Sequence, residues 1–294
     1  MNGIAELQNQ PQFLEKLSAS NRLYDQSVGV AYIQFIIAVI IAIVFPILSN
    51  YFPAYQGWLT IGTLLYFIVQ VFYLHEWEGR RRHDATVLQE IFDTELFSLP
   101  WNEVIAGERM TDEQLKKYLR KNKNLDKEEN LNWYPPAVAE VSLPMARIMC
   151  QRSSVWWNSR LRRTCAQIIM GLNIVIIVAL LWIYRNAPAG SFSNHLVLFL
   201  PLFEILITTA FSYRKSANRM HRLRVILDNF LKKYLEDKQY QVPEDTSRAI
   251  QDEIFRNRAS ARPTPRFIYA MLLARYKKTM NLSAEEYIAK LLRG

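Results

Sequence analysis

Arg152, Trp156, Arg160 and Arg163 fall at intervals of three and four residues. On a helix, turning 100° per residue, all four share one narrow face, with guanidinium groups flanking an indole. That combination suits an anion held by the guanidiniums and a planar ring stacked on the indole. The same types also gather wherever a chain enters a membrane, through the positive-inside rule and the aromatic belt, and spacing does not separate the two readings. Two more places join rings to hydrogen-bonding groups: Trp101 with Asn102, and Trp133 with Tyr134. They can stack on a base and read its edge. Aromatic packing in a small helical domain accounts for Trp101 and Trp133 at least as well.

A second group of polar residues lies inside apolar stretches. Glu204 stands near the centre of one, with Pro201 and Thr208 on neighbouring positions of the same helical face. A charge there costs ~3 kcal/mol on insertion scales, which makes Glu204 a candidate to line a conducting path. The structural alternative is a protonated carboxyl hydrogen-bonded to Gln70 or Asn173. Thr63, Tyr66, Gln70 and Tyr73 recur at three- and four-residue intervals and form one polar stripe. Such a stripe serves interhelical hydrogen bonding or borders a wetted pathway. Gln34 and Asn173 are isolated polar side chains in otherwise apolar runs.

Catalytic chemistry has little raw material. No glycine-rich phosphate loop, HExxH, paired CxxC or GxSxG occurs, and the chain has only nine glycines. No catalytic residue, cofactor or metal is expected, and the chain is not read as an enzyme. His75, Glu76, Glu78, His83 and Asp84 cluster in sequence, but their spacing matches no strong metal site and they flank Arg80 to Arg82. An interfacial belt of His and Trp explains them better. Cys150 and Cys165 are expected on the reducing cytoplasmic side, without a disulfide.

A membrane scaffold must position these residues. The mean hydropathy of -0.06 averages very apolar with very polar segments. Crossing about 30 Å of hydrocarbon takes roughly 20 apolar residues. Runs of that kind extend from Val28 to Leu48, Gly57 to Leu74, Cys165 to Tyr184 and His195 to Tyr213. The sequence therefore predicts an all-α membrane protein, with four transmembrane helices in two hairpins and a mainly helical cytoplasmic domain. The loops within the hairpins, 49–56 and 185–194, contain one Lys or Arg between them. Arg80 to Arg82, Arg160 to Arg163, and Arg214, Lys215, Arg219 and Arg222 lie on the other side. That asymmetry places both termini in the cytoplasm. The polar stretch before Val28 lacks a signal-peptide pattern, so the first span is expected to be retained. A net charge of +9 suits an anionic membrane face and also a phosphate-bearing ligand.

Helical periodicity continues around the spans. Residues 1–27, with Leu7, Phe13, Leu14 and Leu17, read as a cytoplasmic amphipathic segment resting near the membrane. Residues 28–74 and 165–213 are the hairpins, and Pro46 is expected to end or kink the first span. Residues 75–164 are a cytoplasmic helical segment and the candidate sensor. It comprises a helix reaching Leu99-Pro100, a helix capped by Thr111 with Gln114, a charged connector from Lys121 to Asn130, and a break at Trp133 to Pro136. Residues 214–294 form a C-terminal cytoplasmic helical region, in which Thr246 caps one helix and a capping box of Ser283 with Glu286 opens the last.

Several ordered motifs resemble one family. They are Phe92 to Asn102 (FDTELFSLPWN), Trp133-Tyr134-Pro135, Cys150 to Ser153 with Trp156, Arg160, Leu161 and Arg162, and Ile250 to Phe255 with Arg258, Pro265, Phe267 and Tyr269. Together with the two hairpins they are similar to the SMODS-associating four-transmembrane effector family over most of the chain. Two positions depart from its pattern: Ser98 stands where Gly precedes the Leu-Pro-Trp-Asn, and Trp157 where an acidic residue is expected, with a bearing on ligand preference.

The resemblance implies an effector of cyclic-oligonucleotide-based antiphage signalling in the bacterial inner membrane, encoded beside a nucleotide cyclase. It implies sensing of a cyclic di- or trinucleotide, followed by permeabilisation of the membrane and abortive infection. A single four-span bundle is too small to enclose a wide aqueous pore, so a homo-oligomer in contact with membrane lipid is expected. Two other classes fit the spans equally well: a constitutive small-solute channel or transporter with a regulatory domain, and a non-conducting membrane scaffold.

Overall fold

The computed structural model describes residues 2–120, 130–185, 193, 195–237, 240 and 242–293. Apart from Asn130, the expected charged connector from Lys121 lies outside the described residues. Regular structure among the described residues is helical throughout. A short α1 (Ile4–Leu7) precedes α2 (Pro11–Tyr51), which a 3-10 turn at Pro53–Tyr55 joins to α3 (Gln56–Val69). A π turn at Gln70–Leu74 leads directly into α4 (His75–Phe97), followed by the small helices α5 (Glu103–Ala106) and α6 (Asp112–Leu119). Then come α7 (Leu143–Tyr184), α8 (Leu200–Glu236), α9 (Glu244–Ser260) and α10 (Arg266–Arg293).

Four helical rods are long and apolar enough to cross a membrane: Pro11–Tyr51, Pro53–Phe97, Leu143–Tyr184 and Leu196–Glu236. At 41 to 45 residues each, they are about twice the length that hydrocarbon requires. The surplus builds the polar half of the molecule. α2 packs along α4, and α7 along α8, so each hairpin continues beyond its spans as a helical pair.

Pro46, expected to end or kink the first span, is accommodated inside α2, which closes at Phe52 with an N–H bond of 2.8 Å to the Leu48 carbonyl. The π turn has a larger consequence. It adds a residue to one turn and so shifts the helical phase. Thr63 and Gln70 are buried and Tyr66 is half-buried, whereas Tyr73 is 67% exposed and leaves the expected stripe.

One apolar core unites the polar half. Phe92 and Phe97 of α4, Ile148 and Met149 of α7, Leu227 and Leu231 of α8, and Ile254 of α9 meet around Tyr134. Phe13 and Leu17 of α2 join them, the Phe13 ring standing edge-on to Phe92 at 5.9 Å. The N-terminal segment therefore buries its apolar residues Phe13, Leu14 and Leu17 in protein. Two expected helix starts also move. Thr246 lies inside the first turn of α9, which begins after Pro243, and Ser283 lies in mid-α10. The capping box of Thr111 with Gln114 is present, with reciprocal bonds of 3.0 and 3.4 Å.

Candidate functional site

Where the spans meet the polar half, the helices leave a cleft of about 800 Å3, its open mouth included. Arg162, Arg258 and Arg266 line it with positive charge, and Trp133, Trp157 and Tyr269 with ring surface. Asn21, Asn158 and Gln89 add amides. A second lobe of about 400 Å3 shares Trp133, Trp157 and Asn158 and adds Lys277.

Two local devices fix the rings. Trp157 stands on the side of α7 that faces α10, edge-on to Tyr269 at 5.8 Å and to Tyr276 at 5.9 Å. Trp133 lies in irregular chain, and its position is set by its neighbours. Asn132 adopts a left-handed φ of 48°, which asparagine tolerates better than most residues. Its N–H donates to Asn9 Oδ1 at 2.9 Å and its Oδ1 accepts from Asn9 Nδ2 at 2.9 Å. Tyr134 N–H donates to Gln8 Oε1 at 2.8 Å, and Gln8 Nε2 donates back to the Tyr134 carbonyl at 3.1 Å. Two amides near the N-terminus thus pin the residues flanking Trp133.

The three guanidiniums differ in how their charge is met. Arg258 Nη1 pairs with Asp93 at 2.5 Å, and its Nη2 donates to Ser154 Oγ at 2.9 Å. Burial works against that charge, but Asp93 and nearby hydroxyls outweigh it and raise Arg258 above its ordinary value. Arg266 pairs with Asp25, the carboxylate among the lining residues. Arg162 has no carboxylate partner among the described residues. Its Nη1 donates to the Arg262 carbonyl at 2.7 Å, while the buried Nε–H has no hydrogen-bond partner. Burial pulls this guanidinium below its ordinary value. A desolvated cation with an unused donor, walled by indoles, is chemically prepared for an anionic, ring-bearing ligand.

The residues predicted from spacing disperse. Arg152, Trp156, Arg160 and Arg163 do share a side of α7, but neither lobe of the cleft is lined by any of them. Arg152 is buried, with its Nε on Asp228 Oδ1 at 2.6 Å, its Nη1 on Ser283 Oγ at 3.3 Å, and its plane 4.4 Å from the Tyr287 ring centre. Trp156 is half-buried, edge-on to Tyr276 at 5.7 Å. Arg160 and Arg163 are exposed. Trp101 donates from its indole to the Gly107 carbonyl at 2.9 Å, and Asn102 donates to Asp252 Oδ2 at 2.8 Å, both away from the cleft. Trp133 lines both lobes, and Tyr134 borders the second.

Inside the spans most of the predicted polar residues have partners. Gln70 Nε2 donates to Glu204 Oε2 at 2.6 Å and to the Pro201 carbonyl at 3.1 Å. His75 Nε2 lies 3.7 Å from Glu204. Tyr66 donates to the Gln34 main-chain carbonyl at 3.0 Å, whereas the buried Gln34 amide has no partner. Thr63 and Asn173 turn back onto the carbonyls of Leu59 and Ile169 in their own helices, so Gln70, and not Asn173, engages the carboxyl. Thr208 donates to the Glu204 main-chain carbonyl at 2.7 Å. No cluster of metal-ligating side chains occurs among the described residues.

The model of the SMODS-associating 4TM effector domain matches residues 2–287. The chain belongs to this family. A relative from Bacillus cereus (strain VD146), named as a probable CBASS effector molecule, is 24% identical, with 90% of this chain and 92% of the relative covered. No solved structure matches. Residues of the family-like motifs meet in space as one buried polar network. Asp93 accepts from Tyr134 Oη at 2.7 Å and from Gln251 Nε2 at 3.0 Å, and Gln151 donates to the Ser247 carbonyl at 2.8 Å. Burial, with Asp93 adding to it, pushes the Tyr134 hydroxyl well above its ordinary value, which keeps it a neutral donor. The network holds Arg258 against one wall of the cleft.

Both departures from the family pattern are placed. Ser98 is the left-handed C-cap of α4, at φ 50°, the conformation glycine adopts most cheaply. Trp157 is a cleft wall. The cleft residues that spacing missed, Asn158, Arg162, Arg258 and Arg266, carried a partial signal. Arg162, Arg258 and Tyr269 lie within or next to the resembling motifs, and Arg162 follows Asn158 at a helical interval of four.

Proposed function

We propose that this protein is an effector of cyclic-oligonucleotide-based antiphage signalling in the bacterial inner membrane. A cyclic di- or trinucleotide binds the cleft, favours an assembly of several copies, and so permeabilises the membrane and aborts infection. The observation that carries the reading is Arg162, a buried guanidinium without a carboxylate, set beside Trp133, Trp157 and Asn158. A cyclic oligonucleotide offers the complementary parts: phosphates for the guanidinium, bases for the indoles, and base edges for the amides. The lysine and arginine asymmetry supports a cytoplasmic cleft and cytoplasmic termini.

Assembly is part of the reading because the four-span interior is occupied by packed side chains such as Ala38, Phe199, Leu202 and Leu206. A ligand drives assembly only if it binds the assembled state more tightly. A nucleotide cyclase is the partner that would supply the ligand.

The test is membrane potential in cells that co-express a cyclic-oligonucleotide synthase, with Arg162→Gln as the comparison. Depolarisation only with active synthase, lost in Arg162→Gln while membrane insertion persists, is the expected result. Depolarisation without synthase would make the protein a constitutive channel, and none with any synthase would favour a scaffold.

A further inference from the structure

Between α9 and α10 the chain crosses in five residues, Ala261 to Pro265, without regular structure. This strap separates two cavities. Pro263 and Thr264 line the cleft, while Arg262, Pro263 and Pro265 line an apolar groove among the spans. Prolines at 263 and 265 fix their own φ angles and restrict the residue before each, so a push on one end is passed along and not absorbed by rotation.

Arg262 makes contact on both sides. Its carbonyl accepts from Arg162 Nη1 at 2.7 Å, on the cleft side. Its N–H donates to Ser212 Oγ at 3.1 Å, and the Pro263 carbonyl accepts from Tyr213 Oη at 2.6 Å, which ties the strap to the fourth span. Its side-chain Nη2 donates to His75 Nε2 at 2.9 Å and to Thr208 Oγ1 at 3.2 Å. Because arginine only donates, His75 accepts there and carries its proton on Nδ1. His75 and Thr208 both neighbour Glu204, which Gln70 holds from the second span.

The geometry points to Arg262 as the coupling residue through which occupancy of the cleft reaches the intramembrane Glu204. This rests on the reading of the cleft as the ligand site. A phosphate that draws the Arg162 guanidinium into the cleft pulls its Nη1 away from the Arg262 carbonyl. Losing that bond frees the strap on one side, and the Arg262 side chain transmits the shift to His75 and Thr208. Contiguity alone does not demonstrate coupling; the demonstration is non-additivity in a response that binding does not share.

The experiment uses full-length protein in phospholipid vesicles loaded with a fluorescent dye. The probes are cyclic diadenylate, cyclic diguanylate and cyclic triadenylate, each assayed for binding and for dye release. In Arg262→Gln, binding should stay within threefold of wild type while the probe concentration for half-maximal release rises at least tenfold. Thr208→Val, which removes one contact of the guanidinium and leaves the strap intact, should shift release in the same direction by a smaller factor. Arg262→Gln combined with Glu204→Gln should be no worse than the more affected single variant. Normal release in both Arg262→Gln and Thr208→Val, or additive effects, would overturn the coupling and leave the cleft standing. Binding that is absent in wild type, or unchanged in Arg162→Gln, would overturn the cleft reading and the coupling with it.

Discussion

Two sides of α7 offer the same chemistry and are used differently. One carries Arg152, Trp156, Arg160 and Arg163, and the other Trp157, Asn158 and Arg162. On the first, the buried guanidinium is matched by Asp228, the indole lies against a tyrosine, and the remaining arginines face out. On the second, the buried guanidinium has a carbonyl but, among the described residues, no carboxylate, and the indole, edge-on to Tyr269 and Tyr276, also lines the cleft. Each side carries a buried guanidinium and an indole. What differs is whether the fold supplies a counter-charge. A matched buried arginine holds helices together, and an unmatched one is available to a ligand.

The largest effect expected from this contrast is on stability. Arg152→Ala would leave Asp228 to Arg224 alone, whose Nε lies 3.3 Å from Oδ2, so the cost falls below the roughly 3 to 5 kcal/mol typical of removing one partner of a buried ion pair. Asp228 is also partly exposed, at 22% of its side chain, so the expected loss is that of a charged hydrogen bond, about 2 to 3 kcal/mol. Thermal unfolding of the protein in nanodiscs should show a clear fall in midpoint for Arg152→Ala. A conservative Arg152→Lys should recover part of it, since lysine restores the charge but not the forked geometry. If Arg152→Ala unfolds like wild type yet abolishes ligand binding, the two sides have exchanged roles.

Trp133→Ala should give the next largest change, on binding. An aromatic that stacks on a base contributes about 1 to 3 kcal/mol, or roughly one to two powers of ten in affinity. Trp133 is half-buried and joins the core from its edge, so its loss should move the unfolding midpoint less than that of Arg152. Isothermal titration with the cyclic nucleotide that the wild type binds separates the two effects. Unchanged affinity would leave Trp133 as packing alone, the alternative that its sequence allowed from the start.

Much of the architecture was readable because long apolar runs and charge asymmetry act over many residues. The four spans and their hairpins follow from hydropathy and loop length. The site was less readable, because it depends on which neighbour each side chain meets. Arg152 and Arg162 are ten positions apart, or about 80° away from facing the same way, and only tertiary contact assigns Asp228 to one of them. The carboxylate lies 76 residues further along the chain. Tyr73 was lost from its stripe for a local reason: periodicity assumes an unbroken α-helix, and the π turn at Gln70–Leu74 breaks the phase. Phe13 and Leu17 read as membrane-surface residues because amphipathic spacing is the same whether the partner is lipid or protein.

The smallest effect should come from Arg160→Ala with Arg163→Ala, and it is the sharpest check on the contrast. Both residues are exposed at the boundary of the third span, where arginine is supplied by topology alone. Exposed substitutions of this kind change stability by about 0.5 kcal/mol or less. The double variant should therefore unfold like wild type and bind the cyclic nucleotide within twofold, while Arg162→Gln, on the same helix, loses at least tenfold. A tenfold loss in the double variant would have a different meaning. The exposed arginines of one copy would then have to reach a ligand held by another, and the binding site would be completed only on assembly. Mixing the double variant with Arg162→Gln distinguishes that outcome, because only a shared site regains binding when each copy supplies the arginines that the other lacks.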